Sequence, residues 1–376
     1  MFPRPGHPGL TLALAFALAA CTSGSAPPPP PPAAAEPAVA AAPAPPAAPA
    51  PDPAPAGPLT TLSVGLVAAV GYPFYIGTER GYFREQGIDL QLETVRTGSD
   101  MVPMIANGQL DVSQQAVSPA TFNALLRNVT MKAILDASHS DPGQHSHATM
   151  ARKELYDSGA VRTVTDLVGR RVGSGTPPVG PSIAVDRALR RAGHSISEFD
   201  LVQLSQPDMP AALLNGSVDG AVVFEPAIST ALGMNAGTVI EWLADDYPGQ
   251  AIAVQVIGSS LLDRPDVARR FALGYIRGAR DYADTIKQKV GIEEMAALLT
   301  PYNNLDVALN ADLLRRHGLT SIDPDGRINK DSMAYDMGWY IETGQLERAV
   351  DLDQFIDSQY IDWAVAQLGP YTPRKP

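Results

Sequence analysis

The chain has 376 residues and an acidic composition, with 28 Lys and Arg against 40 Asp and Glu and a formal net charge of −12 at pH 7. A surface of this charge repels the phosphate backbone of DNA and RNA, so the composition excludes nucleic-acid partners. Residues 59–376 are long enough to form two lobes with substantial cores.

The first 20 residues have the organisation of a secretory signal peptide. A short start carries Arg4, and an apolar run over residues 10–20 ends in two alanines. That run has roughly half of the ~20 residues that a helix needs to cross a bilayer, so it does not predict a membrane span. Its last letters, LAAC, resemble the lipobox of bacterial lipoproteins, whose cysteine takes a diacylglyceryl group and becomes the mature N-terminus. We predict that Cys21, the only cysteine, is a lipid anchor; the alternative is a stray thiol in a cleaved leader.

Residues 21–58 are predicted to be a tether between this anchor and the body. From residue 26 onward the segment is almost wholly Pro and Ala, with no aromatic residue and only two acids. Such a composition cannot bury enough apolar surface to offset the entropy of ordering, so the segment stays extended and polyproline-like. At ~3.1 Å per residue it reaches on the order of 100 Å, far enough to hold a body away from a membrane.

The body contains an internal repeat. Residues 99–120 read SDMVPMIANGQLDVSQQAVSPA and residues 207–227 read PDMPAALLNGSVDGAVVFEPA, which align through Asp-Met, Asn-Gly, Asp and a Pro-Ala pair. In each copy a helix is predicted to end at the Asn-Gly pair, a short strand follows, and a second helix begins at the proline. Strands alternating with helices predict parallel βαβ units, so the body is predicted to be α/β, with two lobes of similar topology.

The body also resembles a known family, the substrate-binding proteins of bacterial ABC importers for nitrate, taurine, sulfonates and thiamine-pyrimidine precursors (NMT1-like). The resemblance is carried by residues 72–93, 107–119, 161–173, 213–226 and 323–329. It implies a two-lobed fold of the type II periplasmic-binding-protein kind, each lobe a mixed, mostly parallel sheet flanked by helices, with a helical C-terminal region. The chain then crosses between lobes and returns, which implies lobe 1 over 59–140 and 249–376 and lobe 2 over 141–248.

Ligands of open α/β sheets bind beyond the carboxyl ends of the strands, where helix N-termini present free N–H groups. The repeat marks these places in both lobes, and although each residue alone could be a plain helix cap, their convergence favours ligand contact. The predicted ligand contacts are Val70, Gly71, Tyr72, Ser99, Asp100, Gln115, Ser118 and His139 in lobe 1, and Thr176, Val179, Asp208 and Glu225 in lobe 2.

Three other patterns resemble a metal site, a calcium loop and a nucleotide-binding loop. His139, His145 and His147 lie within nine residues, but a loop without fixed geometry is a poor metal site, so no metal is predicted. The DPDGRIN stretch lacks the spaced acids of a calcium loop, and a turn between helices explains it better. The GSGTPPVG stretch has the wrong spacing for a nucleotide fingerprint, so no cofactor is predicted.

The predicted function is that of an extracytoplasmic, lipid-anchored solute-binding protein, expected to be a monomer, that delivers its ligand to an ABC permease and ATPase. Glu225 and the prolines Pro177 and Pro178 disfavour an anion, so we expect a small neutral or aromatic, nitrogen-containing solute, with a sulfonate second. A tethered sensor is an alternative. An enzyme is a weaker one, because the related thiamine-pyrimidine synthases carry a cysteine-rich motif and this body has no cysteine.

Overall fold

The structure is a computed structural model that describes residues 57–67, 71–95, 100–143, 145–175, 180–316, 318 and 320–375. The predicted signal peptide, Cys21 and nearly all of the predicted tether lie outside these residues. The strands are β1 (Thr60–Val67), β2 (Ile88–Val95), β3 (Val112–Ala116), β4 (Met131–His139), β5 (His147–Arg152), β6 (Arg171–Ser174), β7 (Asp200–Gln203), β8 (Gly220–Phe224), β9 (Gly237–Trp242) and β10 (Ala251–Gly258).

Helices connect and cover these strands. They are α1 (Tyr72–Glu79), α2 (Tyr82–Glu85), α3 (Met101–Ala106), α4 (Pro119–Leu126), α5 (Lys153–Asp157), α6 (Gly180–Arg191), α7 (Met209–Leu214), α8 (Ala227–Gly233), α9 (Leu243–Asp246), α10 (Ser259–Leu262), α11 (Pro265–Gln288), α12 (Ile292–Asn303), α13 (Val307–Arg316), α14 (Lys330–Glu342), α15 (Leu352–Phe355) and α16 (Gln359–Leu368). None of the described helices is both long enough and apolar enough to span a bilayer.

Two five-stranded sheets have the same topology. The first has the order β2-β1-β3-β10-β4 and the second the order β7-β6-β8-β5-β9. In each sheet four strands run in one direction, and the fourth strand in the order, β10 or β5, is antiparallel to both of its neighbours. The sheets are therefore mixed and mostly parallel, as the sequence predicts.

The antiparallel strand of each sheet is the one that the chain enters after passing between the sheets. The chain leaves the first sheet after β4 and reaches β5 through residues 140–146, the outgoing crossover. It comes back from β9 to β10 through residues 243–250, the return crossover. The two segments are hydrogen-bonded to each other, with the Ser140 amide donating to the Gln250 carbonyl at 2.9 Å and the Gly249 amide donating to the Ser140 carbonyl at 2.6 Å. The predicted lobe boundaries stay a prediction, but no described strand crosses them.

The internal repeat forms the same three elements twice. The first copy is α3, β3 and α4, and the second is α7, β8 and α8, so the predicted helix–strand–helix order is confirmed. Gly108 and Gly216 follow the first helix of each copy with φ of 69° and 74°. This left-handed conformation costs a glycine little, which is why the helix ends at the same place in both copies.

Two further positions of the repeat explain its sequence. The methionine that starts each first helix packs against a glycine of β1 or β6, the strand beside β3 or β8 in its sheet. A Cβ on Gly65 would lie 2.8 Å from Met101 Sδ, and a Cβ on Gly173 would lie 2.7 Å from Met209 Sδ. Each pair therefore needs a glycine, because any side chain on the strand would displace the methionine.

The repeat aspartate ties its strand to the neighbouring one. Asp111 Oδ2 accepts the amide of Ser63 at 3.0 Å, and Asp219 Oδ2 accepts the amide of Arg171 at 3.3 Å. Each carboxylate also pairs with an arginine, Arg264 at 2.9 Å or Arg152 at 3.0 Å. Within its own sheet, each aspartate therefore links the strand that follows it to the neighbouring strand, β1 or β6.

The C-terminal region is helical, and α11 buries an apolar stripe in the core. Phe271, Tyr275 and Tyr282 of α11 are fully buried. Tyr275 and Tyr282 pack against the rings of Phe74 and Tyr72 in α1. Farther along the chain, α14 lies against both α4 and α6, so it contacts elements that belong to the two different sheets.

Replacing Gly278 of α11 with alanine is predicted to destabilise the protein. A Cβ there would lie 2.4 Å from the backbone oxygen of Pro73, which cannot rotate away, so α1 and α11 would have to separate. We expect a loss of about 1–3 kcal/mol in the free energy of unfolding, measured by denaturant titration. The control is Gly338→Ala in α14, where a Cβ meets nothing within 4 Å, so stability should hold or rise by up to about 1 kcal/mol. Equal effects of the two substitutions would contradict this packing.

Candidate ligand-binding site

The predicted ligand contacts that the structure describes lie around the carboxyl ends of the strands of both sheets. Four others, Val70, Ser99, Thr176 and Val179, fall outside the described residues. The remaining contacts can be placed, and they differ widely in exposure and in bonding partners. Their role in binding a ligand stays a prediction.

Gln115 and Ser118 stand at the end of β3 and the start of α4. Ser118 is the N-cap of α4, and its hydroxyl accepts the Thr121 amide at 3.5 Å. Gln115 is fully buried and donates from Nε2 to Ser113 Oγ at 2.6 Å. The second copy of the repeat places Ala221, Val222 and Val223 where this strand carries Ser and two Gln, so lobe 1 supplies the polar strand end.

Tyr72, a predicted ligand contact, has a buried side chain. The side chain is 1% exposed, and its ring stacks on Tyr282 with centroids 5.1 Å apart. The reason is that α1 lies against α11, so the first turn of α1 is turned toward that helix. Gly71, the N-cap of α1, is buried as well. As the chain is folded here, Tyr72 stabilises lobe 1, and removing its side chain would leave a cavity in the core.

Asp100 and Asp208 occupy matched positions at the starts of α3 and α7, and both are exposed. Neither side chain caps its helix. The Asp208 carboxylate instead accepts the Ser205 hydroxyl at 2.5 Å.

Glu225 is a buried carboxylate at the end of β8. It is 4% exposed, and it accepts the Ser229 amide at 3.1 Å and the Ser229 hydroxyl at 3.0 Å. Burial raises the pKa of Glu225, while these two hydrogen bonds and the charge of Arg316 act against the rise. The site therefore holds a carboxylate whose charge is only partly compensated by the protein.

Arg316 connects this carboxylate to the other sheet. It belongs to α13, which packs with the first sheet's helices, and it donates to Ser229 Oγ at 3.1 Å. The same hydroxyl donates to Glu225, so Arg316, Ser229 and Glu225 form a chain of hydrogen bonds from one lobe to the other. Asp312, one turn earlier in α13, pairs with Arg316 at 2.6 Å.

His139 lies at the end of β4, directly before the outgoing crossover. Its Nδ1 is 2.8 Å from Asp136 Oδ2, and its Nε2 is 3.0 Å from Asp141 Oδ1. Lys287 also pairs with Asp141, at 2.8 Å. Burial opposes the charge on the ring, but the two carboxylates outweigh it and raise the pKa of His139 to about 10. Both ring nitrogens are thus hydrogen-bonded within the protein. A ligand could interact with this ring only by packing on its face or through its positive charge.

The three histidines of the HSDPGQHSH stretch do not converge. His145 stacks on Trp242 with centroids 4.5 Å apart, and His147 bonds Ser146 Oγ at 3.0 Å and packs against Phe224. Burial lowers the pKa of His147 to about 4. Within the described part of the chain, no group of three or more His, Cys, Asp or Glu is arranged to hold a metal ion.

Two surface depressions lie away from the predicted contacts. One, of about 490 Å³, is at the edge strand β9, and the other, of about 400 Å³, is beside α5 and α7. Neither is lined by a predicted ligand contact, and both are open to solvent. We give the strand-end positions more weight, because both lobes place polar groups there by the same local pattern.

Sequence reasoning missed three residues that act between the lobes, namely Arg316, Gln250 and Asp336. Each lies far along the chain from its partners, and Gln250 and Asp336 are joined by a buried hydrogen bond of 3.0 Å. No periodicity or motif marks them, so only the folded structure could reveal them.

The charge states of two histidines provide a test of the site's electrostatics. At pH 7.5 we expect His139 to be an imidazolium and His147 to be neutral, with titrations near pH 10 and pH 4. Because the pKa of His139 is raised on folding, its contribution to stability is complete below pH 6.5 and is lost as the pH rises toward 10. Side-chain NMR would follow both rings, and Asp141→Asn should lower the pKa of His139 while leaving His147 unchanged. A normal titration of His139 near pH 6.5 would contradict the two-carboxylate arrangement.

Comparison with known proteins places the chain in a family. The family model described as "NMT1/THI5 like" matches residues 70–284, which is more than half of the chain. The taurine-binding periplasmic protein of Escherichia coli K12 is 22% identical over 223 residues, covering 58% of this chain and 66% of that protein. The 4-amino-5-hydroxymethyl-2-methylpyrimidine phosphate synthase of Aspergillus parasiticus is 23% identical over 174 residues, covering 46% of this chain and 45% of that enzyme. The chain thus matches only about half to two thirds of the length of these curated relatives.

A solved structure shares the fold. The periplasmic aliphatic sulphonate binding protein SsuA from Escherichia coli matches with a TM-score of 0.64 and 18% identity, covering 83% of this chain and 100% of that one. This match confirms the predicted two-lobed fold of the type II periplasmic-binding-protein kind. With the family model covering most of both lobes, the chain belongs to the NMT1/THI5-like family.

Proposed function

We propose that the protein is an extracytoplasmic solute-binding lipoprotein that holds a small organic solute between its two lobes and delivers it to an ABC importer. The observation that carries the proposal is the repeated arrangement of strand ends and helix starts in two lobes joined by paired crossovers. Such an arrangement suits capture of a small ligand between two surfaces. The relatives named for taurine and sulphonate binding support the same function.

A second candidate is an enzyme, because one relative is named as a pyrimidine phosphate synthase. The thiamine-pyrimidine synthases that this chain resembles have a cysteine-rich motif. The only cysteine of this chain is Cys21, directly after the predicted signal peptide. The hydrogen-bonded carboxylate Glu225 does not by itself form a catalytic group, since its partner Ser229, four residues later in α8, serves to hold it. Binding without turnover is therefore the better supported reading.

The favoured ligand is a small neutral or aromatic, nitrogen-containing solute. Glu225 is a buried acceptor that an amine or amino-pyrimidine could pair with, whereas a sulfonate there would meet a like charge. A sulfonate remains second, because Arg316 reaches the same place and is able to leave Ser229 for an anion.

A ligand screen is expected to give a clear response in melting temperature. Amino-pyrimidines, flavin-like rings, amines, taurine and alkanesulfonates would be added to residues 59–376, and a binder present at 100 times its Kd adds about 2.7 kcal/mol of stability. Glu225→Gln should weaken a neutral or cationic ligand that donates to the carboxylate and strengthen a sulfonate. Thermal shift measurements would report both effects.

The matched control for this screen is Glu241→Gln, which removes another largely buried carboxylate of the second sheet outside the predicted site. This control should bind every ligand as the wild type does. If the ligands of the wild type bound Glu225→Gln with unchanged shifts, the assignment of Glu225 to the site would be wrong. Product formation from an amino-pyrimidine precursor would instead favour the enzyme.

Substituting the predicted anchor should abolish lipidation of the protein. Cys21→Ser removes the sulfur that would carry the lipid, so we expect a chain that is unacylated and either retained by an uncleaved leader or secreted. Metabolic labelling with a palmitate analogue would mark the wild type only, with residues 59–376 as the unlabelled control. Equal labelling of wild type and Cys21→Ser would contradict the lipoprotein proposal.

A further inference from the structure

A buried polar cluster joins the return crossover to both lobes. Gln250 is 2% exposed, and its Nε2 donates to the Gly180 carbonyl oxygen at 2.9 Å and to Asp336 Oδ2 at 3.0 Å. Gly180 is the first residue of α6, and Asp336 is in α14. One amide group therefore fixes the first turn of α6 against a helix that also packs on α4 of the other lobe.

Other contacts place the crossover itself against α14. The Tyr247 hydroxyl donates to the Ser332 carbonyl oxygen at 3.2 Å, and the Ala251 amide donates to Ser332 Oγ at 2.8 Å. The Asn329 side chain donates to the Gly249 carbonyl at 2.6 Å. Residues 247–251 are thus held along the first turns of α14, so a shift of α14 must be transmitted to the return crossover.

Asp336 is the titratable group at the centre of this cluster. It is 0% exposed, and its second oxygen, Oδ1, has no hydrogen-bond partner among the residues that the structure describes. Burial raises the pKa of Asp336 to about 7, and Gln250, Tyr247 and Arg187 act in the opposite direction. A buried carboxylate without full compensation is costly, so the charged form favours any movement that admits water to the cluster.

The charged groups around Asp336 come from few elements. Arg187 of α6 lies over the rings of Tyr247 and Tyr335, at 4.3 and 4.6 Å. On α6, Asp186 is held by Arg190 and by the Trp339 indole at 2.7 Å, and its pKa is lowered despite burial. The sequences of α4 and β10 contain no ionisable side chain.

One further carboxyl near α6 also titrates close to neutrality. Burial raises the pKa of Glu241 to about 7, with Arg191 of α6 acting against the rise. Glu241 belongs to the edge strand of the second sheet and is bonded to neither Gln250 nor Asp336, so it provides the natural control.

We propose that Gln250 and Asp336 are positioning residues for ligand binding, which set α6 against the return crossover and α14 and make the relative position of the two lobes depend on pH near neutrality. The inference rests on the proposed solute-binding function, because the solute is proposed to bind between the two lobes that α6 and α14 bring together. At low pH the neutral Asp336 keeps the cluster closed. At higher pH the buried charge loosens the first turn of α6.

Hydrogen exchange of the ligand-free protein tests this directly. Mass spectrometry would follow the backbone amides of residues 180–184, all but Pro181, which has no N–H, between pH 6 and 8.5, with rates corrected for the intrinsic pH dependence. In the wild type, protection of these amides should fall as the pH rises through about 7. Asp336→Asn keeps the shape and an acceptor for Gln250 but cannot ionise, so its protection should not change with pH. Gln250→Met keeps the shape but removes both donors, so exchange should rise roughly threefold to tenfold at every pH.

Thermal melts over the same range supply a second readout. Since the pKa of Asp336 is higher in the folded than in the unfolded state, its contribution makes the wild type lose stability between about pH 4 and pH 7. Asp336→Asn should remove this loss and be the more stable protein at pH 8. Glu241→Gln should retain the pH-dependent protection of residues 180–184. The inference is overturned if Asp336→Asn keeps the pH dependence, or if Glu241→Gln abolishes it.

Ligand binding separates this inference from the proposed function. With taurine and an amino-methylpyrimidine as probes, Gln250→Met should weaken any wild-type affinity by roughly fivefold or more, and the wild-type affinity should vary with pH where that of Asp336→Asn does not. If neither probe binds but the exchange pattern is as expected, the pH-dependent role of the buried polar cluster is supported and the proposed ligand class is contradicted. If a probe binds and the exchange of residues 180–184 is independent of pH, the positioning role is refuted.

Discussion

The pairing of the two crossovers is the constraint on which the rest of the molecule depends. Ser140 exchanges backbone hydrogen bonds with Gly249 and Gln250, and these segments carry the described chain between its two sheets. Because the antiparallel strand of each sheet is the one entered from a crossover, this pairing lies next to β5 and β10, the strands that make both sheets mixed. The lobes can then move only by bending or twisting two short, coupled segments, which is how a hinge restricts motion to a few backbone angles.

Charge is distributed unevenly around these segments. His139 closes the outgoing side with a cation between Asp136 and Asp141, and Lys287 adds a second positive charge there. The return side carries the buried carboxyl of Asp336, which relies mainly on Gln250. The outgoing crossover is therefore held by ion pairs that persist across the physiological pH range, while the return crossover depends on a group close to its titration point. On the proposal above, a change of pH near neutrality would alter the contacts of the return crossover and leave those of the outgoing crossover unchanged.

The repeat could be predicted from sequence because each of its residues satisfies a local requirement. Gly108 and Gly216 end helices in a left-handed conformation, and Met101 and Met209 need a glycine on the adjacent strand. Side-chain direction could not be predicted in the same way. Tyr72 follows a strand end as a ligand contact would, yet α1 turns it toward Tyr282, which lies about two hundred residues later. Likewise, Gln250 and Asp336 meet only when α14 has packed against both lobes, so no local pattern announces them.

The hydrogen-bond chain from Arg316 through Ser229 to Glu225 affects which ligands the proposed site could hold. Ser229 accepts from Arg316 and donates to Glu225, so neither charge is exposed to its opposite directly. A solute that donates to Glu225 replaces the Ser229 hydroxyl and leaves Arg316 paired with Asp312. A solute that accepts from Arg316 leaves Glu225 bonded to Ser229 but must approach a buried carboxylate, and repulsion grows as water is excluded. At the proposed site an anion would therefore cost more than a donor, because Arg316 already reaches the second lobe through Ser229 and would have to exchange that hydrogen bond for the ligand.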